Sequence, residues 1–192
     1  MRWGNDCRNL HRFPLELAYG DLTDEVSLMA ALKNCHALFH VGALYRPWMR
    51  DTALFYQTNV EGTRNLMFAA LTAGVERVVY TSSVANEYTP FDRYLNFGHY
   101  KQSKYLAELE VLKLVRNRSL PAVIVNHTAP VGPRDIKPTP TGRLIRDAAL
   151  GKIPAYVNTG LNIVHVDDVA EGHIQAFELG AIGEKSILGE RI

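Results

Sequence analysis

Cysteine is almost absent: Cys7 and Cys35 are the only two in 192 residues, far apart and in neither a Cys-x-x-Cys nor a zinc-site spacing. That excludes a disulfide scaffold, and the expectation is two reduced cytoplasmic thiols. An excess of one charge is missing too. The 21 basic and 20 acidic residues leave a formal net charge of +1, without the basic footprint that selects nucleic acid or an anionic membrane surface. No long hydrophobic run occurs either, since apolar stretches such as Ala122–Val125 fall far short of the roughly 20 residues that span a bilayer. Met1 to Leu17 carries Arg2, Asp6, Arg8, Arg12 and Glu16 and has no apolar signal core. These absences leave a chain expected to act on a small molecule in the cytoplasm.

What the chain does have is alternation. With 47% hydrophobic residues it can bury one substantial core, or one domain and part of another. Short apolar runs alternate with helical periodicity, the pattern of βαβ crossovers in a parallel sheet. Leu15–Tyr19 reads as a strand, Asp24 as the N-cap of a helix bearing Val26, Leu28, Met29, Ala31 and Leu32, and Ala37–Val41 as a buried strand. A long helix is predicted from about Thr52 to Ala73, closed by Gly74 in the left-handed conformation, then a strand over Val75–Ser82. A helix from about Tyr100 to Asn117 and a strand at Ala122–Val125 complete a β-α-β-α-β-α-β order, which right-handed crossovers build into a doubly wound sheet. Prolines crowd only between Pro130 and Pro140, which predicts a long functional loop. Beyond it come a helix near Thr141–Leu150, a strand at Asn162–Val166, a helix from Asp168 to Leu179 capped by Asp167 or Asp168, and a last strand near Ser186.

In such a sheet the reactive crevice lies at the carboxyl ends of the strands. Those exits are Gly20-Asp21-Leu22, Val41-Gly42-Ala43, Thr81-Ser82-Ser83 and Asn126-His127-Thr128. The helix that follows the third exit carries Tyr100 and Lys104, four residues apart and therefore on one face. A tyrosine with a pKa of about 10 is a poor base at neutral pH. An adjacent ammonium favours the phenolate, and the pair can then exchange a proton with a substrate oxygen while hydride passes to or from a nicotinamide. By itself a Tyr-x-x-x-Lys arises by chance in roughly one of two chains this long, and an exposed helix face is its plain alternative. The order of elements adds weight: Ser83 stands at the exit just before this helix, as a hydroxyl donor to the same oxygen or, more simply, as a turn serine.

Thr81-Ser-Ser83, Tyr100 to Lys104, and Asn59-Val-Glu-Gly-Thr-Arg-Asn65 on the preceding helix together resemble the extended short-chain dehydrogenase/reductase family of NAD-dependent epimerases and dehydratases. Gly20-Asp-Leu22 is similar to its adenine-contacting turn, His40-Val-Gly-Ala43 to its post-strand cofactor loop, and His165-Val-Asp-Asp-Val169 to the motif that opens its carboxyl lobe. Asn126 to Arg134, Asp135 to Gly142 and Val164 to Gly172 most resemble the hopanoid-associated sugar epimerases, often described as dihydroflavonol-reductase-like. The resemblance runs from about Asn5 to Gly189.

What the resemblance implies is an α/β, Rossmann-like doubly wound sheet lacking its first βα unit, with the start of a small carboxyl-terminal substrate lobe. Residues 1–130 would form a partial dinucleotide-binding domain and residues 131–192 an incomplete substrate lobe with segments returning to the sheet. Ser83, Tyr100 and Lys104 are its implied catalytic set, with NAD or NADP as cofactor and Lys104 also on the nicotinamide ribose. Asp21 and Leu22 flank the adenine, Val41, Gly42 and Ala43 line the nicotinamide side, and Thr81 belongs to the cofactor site. Asn59 supports the site from its own helix, and His127 stands where the family has a proline beside the carboxamide. The substrate is sugar-like or a hydroxy-carbonyl compound, with a nucleotide sugar one candidate. The two long helices, bearing Phe55, Tyr56, Phe68 and Tyr105, would pair across a homodimer axis.

The chain departs from the family in two ways. No Gly-x-x-Gly-x-x-Gly occurs to bring a helix N-terminus onto the pyrophosphate, and Arg2 stands near the position that meets the adenosine ribose or its phosphate. Only 16 residues separate Ser83 from Tyr100, a shorter loop than usual beside the substrate pocket. Beside the epimerase or dehydratase reading stand an NADPH-dependent dihydroflavonol-type ketone reductase and a catalytically silent fragment unable to hold the dinucleotide. Arg134, Lys137 and Arg143 are either a phosphate site or a solvated loop. His36, His40, His165 and His173 lack a compact ligand spacing, so no metal site is expected.

Overall fold

In the computed structural model, which describes residues 1, 4–46, 48–84, 98–136, 138–155, 158 and 160–190, the expected alternation builds a parallel sheet. α1 (Glu25–Ala31) precedes β1 (Ala37–His40). The long helix begins as α2 (Ala53–Phe55), passes through a π-helical stretch at Tyr56–Glu61 and continues as α3 (Gly62–Ala73). β2 (Arg77–Ser83), α4 (His99–Arg118) and β3 (Ala122–His127) follow. β4 (Ala129–Val131) and β5 (Ile163–His165) pair with each other, with α5 (Pro140–Ala149) between them in sequence. α6 (Val166–Leu179) leads to β6 (Lys185–Leu188), and the main sheet runs β1-β2-β3-β6 with every pair parallel.

Strand alternation divides the core into two faces. Val78 and Tyr80 of β2 and Ala122 and Ile124 of β3 pack with Leu66, Met67 and Ala70 of α3 and with Ala107, Val111 and Leu114 of α4. Val79, Val123 and Val125 point the other way, onto Ala176 and Phe177 of α6. β2 and β3 are thus apolar through their centres because helices cover both sides, as the continuous runs in the sequence anticipate.

Local signals formed as anticipated where the partners are close in sequence. The Asp24 carboxylate accepts from the amides of Val26 and Ser27, and Gly74 ends α3 at φ 72°. Three expectations need correction. Leu15–Tyr19 does not form a regular strand: Met1 bonds its end, donating to the Ala18 carbonyl at 2.6 Å and accepting from the Gly20 amide at 2.9 Å, but no ladder runs along the segment among the described residues, and Leu15, Leu17 and Tyr19 are exposed. The proline-rich stretch is not loop from its start, because Pro130 sits in β4 opposite Val164, where an edge position tolerates its missing donor. α6 is capped by His165, whose Nδ1 accepts from the Asp167 amide at 3.2 Å, while Asp167 and Asp168 occupy its first turn. There the two carboxylates still face the positive end of the helix.

Candidate active site

The register sets how far each strand reaches. His40, the last residue of β1, lies opposite Tyr80, so β2 extends three residues further and ends with Ser83 opposite His127. α4 starts beside this stepped edge. A cleft of about 560 Å³ opens there, lined by Ser83, Tyr100 and Lys104. Val41, Ala43, Thr81 and His127, all expected near the cofactor, line the same cleft.

Tyr100 packs against Tyr45, with ring centroids 4.9 Å apart, and edge-on to Phe55 at 6.3 Å. Burial, with Tyr45 adding, pushes its phenol up to about 12. Lys104 is only 5% exposed; its Nζ donates to the Thr81 carbonyl at 2.8 Å and lies 5.0 Å from the centre of the Tyr80 ring. Burial pushes its ammonium down to about 8, against the opposing pull of Glu108. So in the protein alone desolvation dominates both members of the pair, and each is biased toward its neutral form.

The supporting polar groups are satisfied by residues far away in sequence. The Thr81 hydroxyl bonds His173 Nε2 at 2.8 Å, and His173 Nδ1 donates to the Val169 carbonyl. His40, buried behind the cleft, bonds Thr63 Oγ1 at 3.0 Å, and burial first and Lys104 second hold its pKa down to about 3. His127 Nδ1 donates to the Thr128 carbonyl at 2.7 Å, which makes Nε2 the acceptor in the neutral ring; burial lowers its pKa as well. The carbonyl of Ser83 accepts from Asn126 Nδ2 at 3.3 Å.

Asn59 stands behind the cleft, 2% exposed, in the π-helical stretch. Its Oδ1 accepts from the Leu44 amide at 2.7 Å, and its Nδ2 donates to the Leu44 carbonyl and to Ser103 Oγ, which in turn bonds the Tyr100 carbonyl. One amide therefore holds the loop after β1 against the start of α4. The Asp21–Leu22 turn lies outside the cleft but adjoins it. A Cβ on Gly62 would fall 2.7 Å from Leu22 Cβ, and one on Gly42 would touch Leu22 Cδ1 at 3.9 Å. Asp21 Oδ1 accepts from the amide and hydroxyl of Thr23.

The remaining candidates are scattered. Arg134 is ion-paired with Asp167, Arg143 is exposed on α5, and Lys137 lies outside the described residues, as do Arg2 and positions 85–97 of the loop before Tyr100. The aromatic set divides: Phe55 is core, the Tyr56 hydroxyl donates to Gln102 at 2.6 Å, and Phe68 is exposed beside Arg118. Among the described residues no group of three His, Cys, Asp or Glu side chains is placed to hold a metal, and no helix is long and apolar enough to cross a membrane. Glu108 and Ser103 carry no sequence signal of a role beyond helix periodicity, in which Glu108 continues the four-residue spacing of Tyr100 and Lys104.

The donor set fits the nicotinamide-ribose half of a dinucleotide. A hydroxyl from Ser83, a phenol from Tyr100 and an ammonium from Lys104 share one cleft with the apolar wall of Val41 and Ala43. This sheet, with its crevice at the strand exits, defines a Rossmann-like α/β protein. The model of the NAD dependent epimerase/dehydratase family matches residues 3–189, and the chain belongs to that family. It is 43% identical over 198 residues to a putative dihydroflavonol 4-reductase of Synechocystis sp., covering 94% of this chain and 57% of the relative. It is 34% identical to sterol demethylase protein B of Methylococcus capsulatus, covering 98% of this chain and 60% of that protein. The crystal structure of gox2253 superposes with a TM-score of 0.92 at 55% identity, over 100% of this chain and 61% of that one. The chain thus spans about three fifths of the length of these proteins.

Proposed function

We propose that this chain carries the catalytic cleft of an NAD(P)-dependent epimerase, dehydratase or reductase that acts on a sugar-like or hydroxy-carbonyl substrate. The observation that carries the reading is the convergence of Ser83, Tyr100 and Lys104 on one cleft at the exit of β2. When bound, the nicotinamide cofactor supplies or accepts the hydride. Ser83 donates its hydroxyl to the substrate oxygen, and Tyr100 passes or receives the proton at that oxygen. Lys104, anchored on the Thr81 carbonyl, supplies positive charge to the cleft it shares with the phenol and reaches the ribose. The Asp21–Leu22 turn and the Val41–Ala43 loop serve the adenine and nicotinamide sides, with Thr81 and His127 at the ring.

A reductase of the dihydroflavonol type has a specific observation in its favour. In that reaction the Tyr100 phenol, protonated at neutral pH, delivers its proton to the carbonyl oxygen as hydride arrives at the carbon, and the observation that favours it is the apolar lining. Val84, Pro130 and Leu161 make the substrate side of the cleft apolar. Residues 1–130 then belong to the dinucleotide-binding part and residues 131–192 to a substrate lobe that lends β6 to the sheet. The α3 and α4 faces, with Phe68 exposed, are the proposed homodimer contact.

An NAD(P)H fluorescence titration of this chain tests the reading. A saturable signal is expected; none at millimolar cofactor overturns the reading and leaves a silent fragment. With a ketone substrate, net NADPH consumption identifies the reductase, whereas an epimerase regenerates its cofactor at each turnover.

A further inference from the structure

We propose, resting on that reading of the cleft, that Glu108, with Lys185 as its counter-ion, is a positioning residue that both locks the Tyr100–Lys104 helix onto the strand exits and sets the field at the Lys104 ammonium. Tyr100, Lys104 and Glu108 follow one another at four-residue steps along α4, so they share the helix face turned toward the sheet. Glu108 is 2% exposed, yet it reaches three adjacent strands. Its Oε2 accepts from Ser82 Oγ on β2 and from Asn126 Nδ2 on β3, at 3.4 Å, while its Oε1 pairs with Lys185 Nζ on β6.

These contacts fall beside the groups that line the cleft. Ser82 and Asn126 are direct partners in the β2–β3 register. Ser82 lies between Thr81, whose carbonyl takes the Lys104 ammonium, and Ser83; Asn126 precedes His127 and also holds the Ser83 carbonyl. Oε2 of the carboxylate therefore fixes how far the phenol-bearing helix stands from the serine-bearing strand, while Oε1 holds the counter-ion on β6. A buried carboxylate is retained only if it is paired, and a purely apolar contact would seal this seam as well. What charge adds is a field on Lys104. The groups that face Lys104 are Glu108 from α4, Tyr80 from β2, His40 from β1 and His127 from β3, with Tyr100 lining the same cleft one helical turn away, and Lys185 acts from β6 through Glu108.

A packing role and a field role predict different results. Glu108 favours charged Lys104 and Lys185 offsets Glu108, so Glu108→Gln and Lys185→Met should move the Lys104 titration in opposite directions. The measurement is the pH profile of Lys104 acetylation by acetic anhydride, followed by mass spectrometry of the Lys104 peptide. At pH 7 the Glu108→Gln protein should label about threefold faster than the parent and Lys185→Met about threefold slower, half a unit each way. Lys185 lies at the sheet edge with its side chain 39% exposed, so its replacement decides the matter even if Glu108→Gln fails to fold. Unmoved profiles, or shifts of the same sign, overturn the proposal. Because the labelling needs no turnover, its failure is distinct from failure of the enzymatic reading, which cofactor titration reports. In turnover, Glu108→Gln should lower kcat and leave the substrate KM in place.

Discussion

The Lys104 ammonium donates to the main-chain carbonyl of Thr81 at 2.8 Å, tying the helix that carries Tyr100 directly to the strand that ends in Ser83. The bond replaces water for an ammonium buried to 5% exposure, and it leaves the rest of the lysine's charge to act within the cleft. The geometry joins two elements that the sequence places 23 residues apart.

Tyr100→Phe keeps the ring packed on Tyr45 and Phe55 and removes only the hydroxyl. Turnover should fall by about 10²- to 10⁴-fold, with NAD(P)H affinity and melting temperature close to the parent's. Unchanged turnover would remove Tyr100 from the reaction.

His40 gives the fold an acid-sensitive point. The folded ring is held near 3 against an ordinary 6.5, so below pH 6.5 the unfolded chain takes up a proton that the native state refuses. Stability is therefore lost as pH falls from 6.5 toward 3. His40→Gln retains a polar partner for Thr63 and should shrink the loss between pH 7 and pH 5, read from urea midpoints. An equal loss in both proteins would contradict the assignment.

Gly62→Ala places a methyl 2.7 Å from Leu22 Cβ, an atom too near the backbone to swing aside. The helix propensity of alanine favours the change, but overpacking outweighs it, and a net destabilisation of about 1–3 kcal/mol is expected. The Asp21–Leu22 turn should move with it and weaken cofactor binding more than Tyr100→Phe does. A stabilised variant with unchanged cofactor affinity would show that the turn is not held by this contact.

Much of the fold was legible because its causes are local. The apolar runs at Ala37–Val41 and Ala122–Val125 contain β1, which ends at His40, and most of β3, Asp24 and Gly74 capped the helices expected of them, and the Tyr100–Lys104 spacing required only that α4 be a helix. The same spacing extended to Glu108 was there to be read, but a glutamate on a helix reads as solvated until its partners are known. Ser82, Asn126 and Lys185 come from three separate strands, and no periodicity announces them.

The sequence by itself determined the α/β alternation, the family and the residues at the exits of β1, β2 and β3, since side-chain period, capping chemistry and motif order are properties of neighbouring residues. Only the tertiary structure decided that Leu15–Tyr19 forms no regular strand, that His165 caps α6, and that the long helix opens into a π turn around Asn59. It also decided the protonation balance of the cleft. A pKa depends on what surrounds a group in space, and for Tyr100 and Lys104 that is burial among residues of other strands and helices.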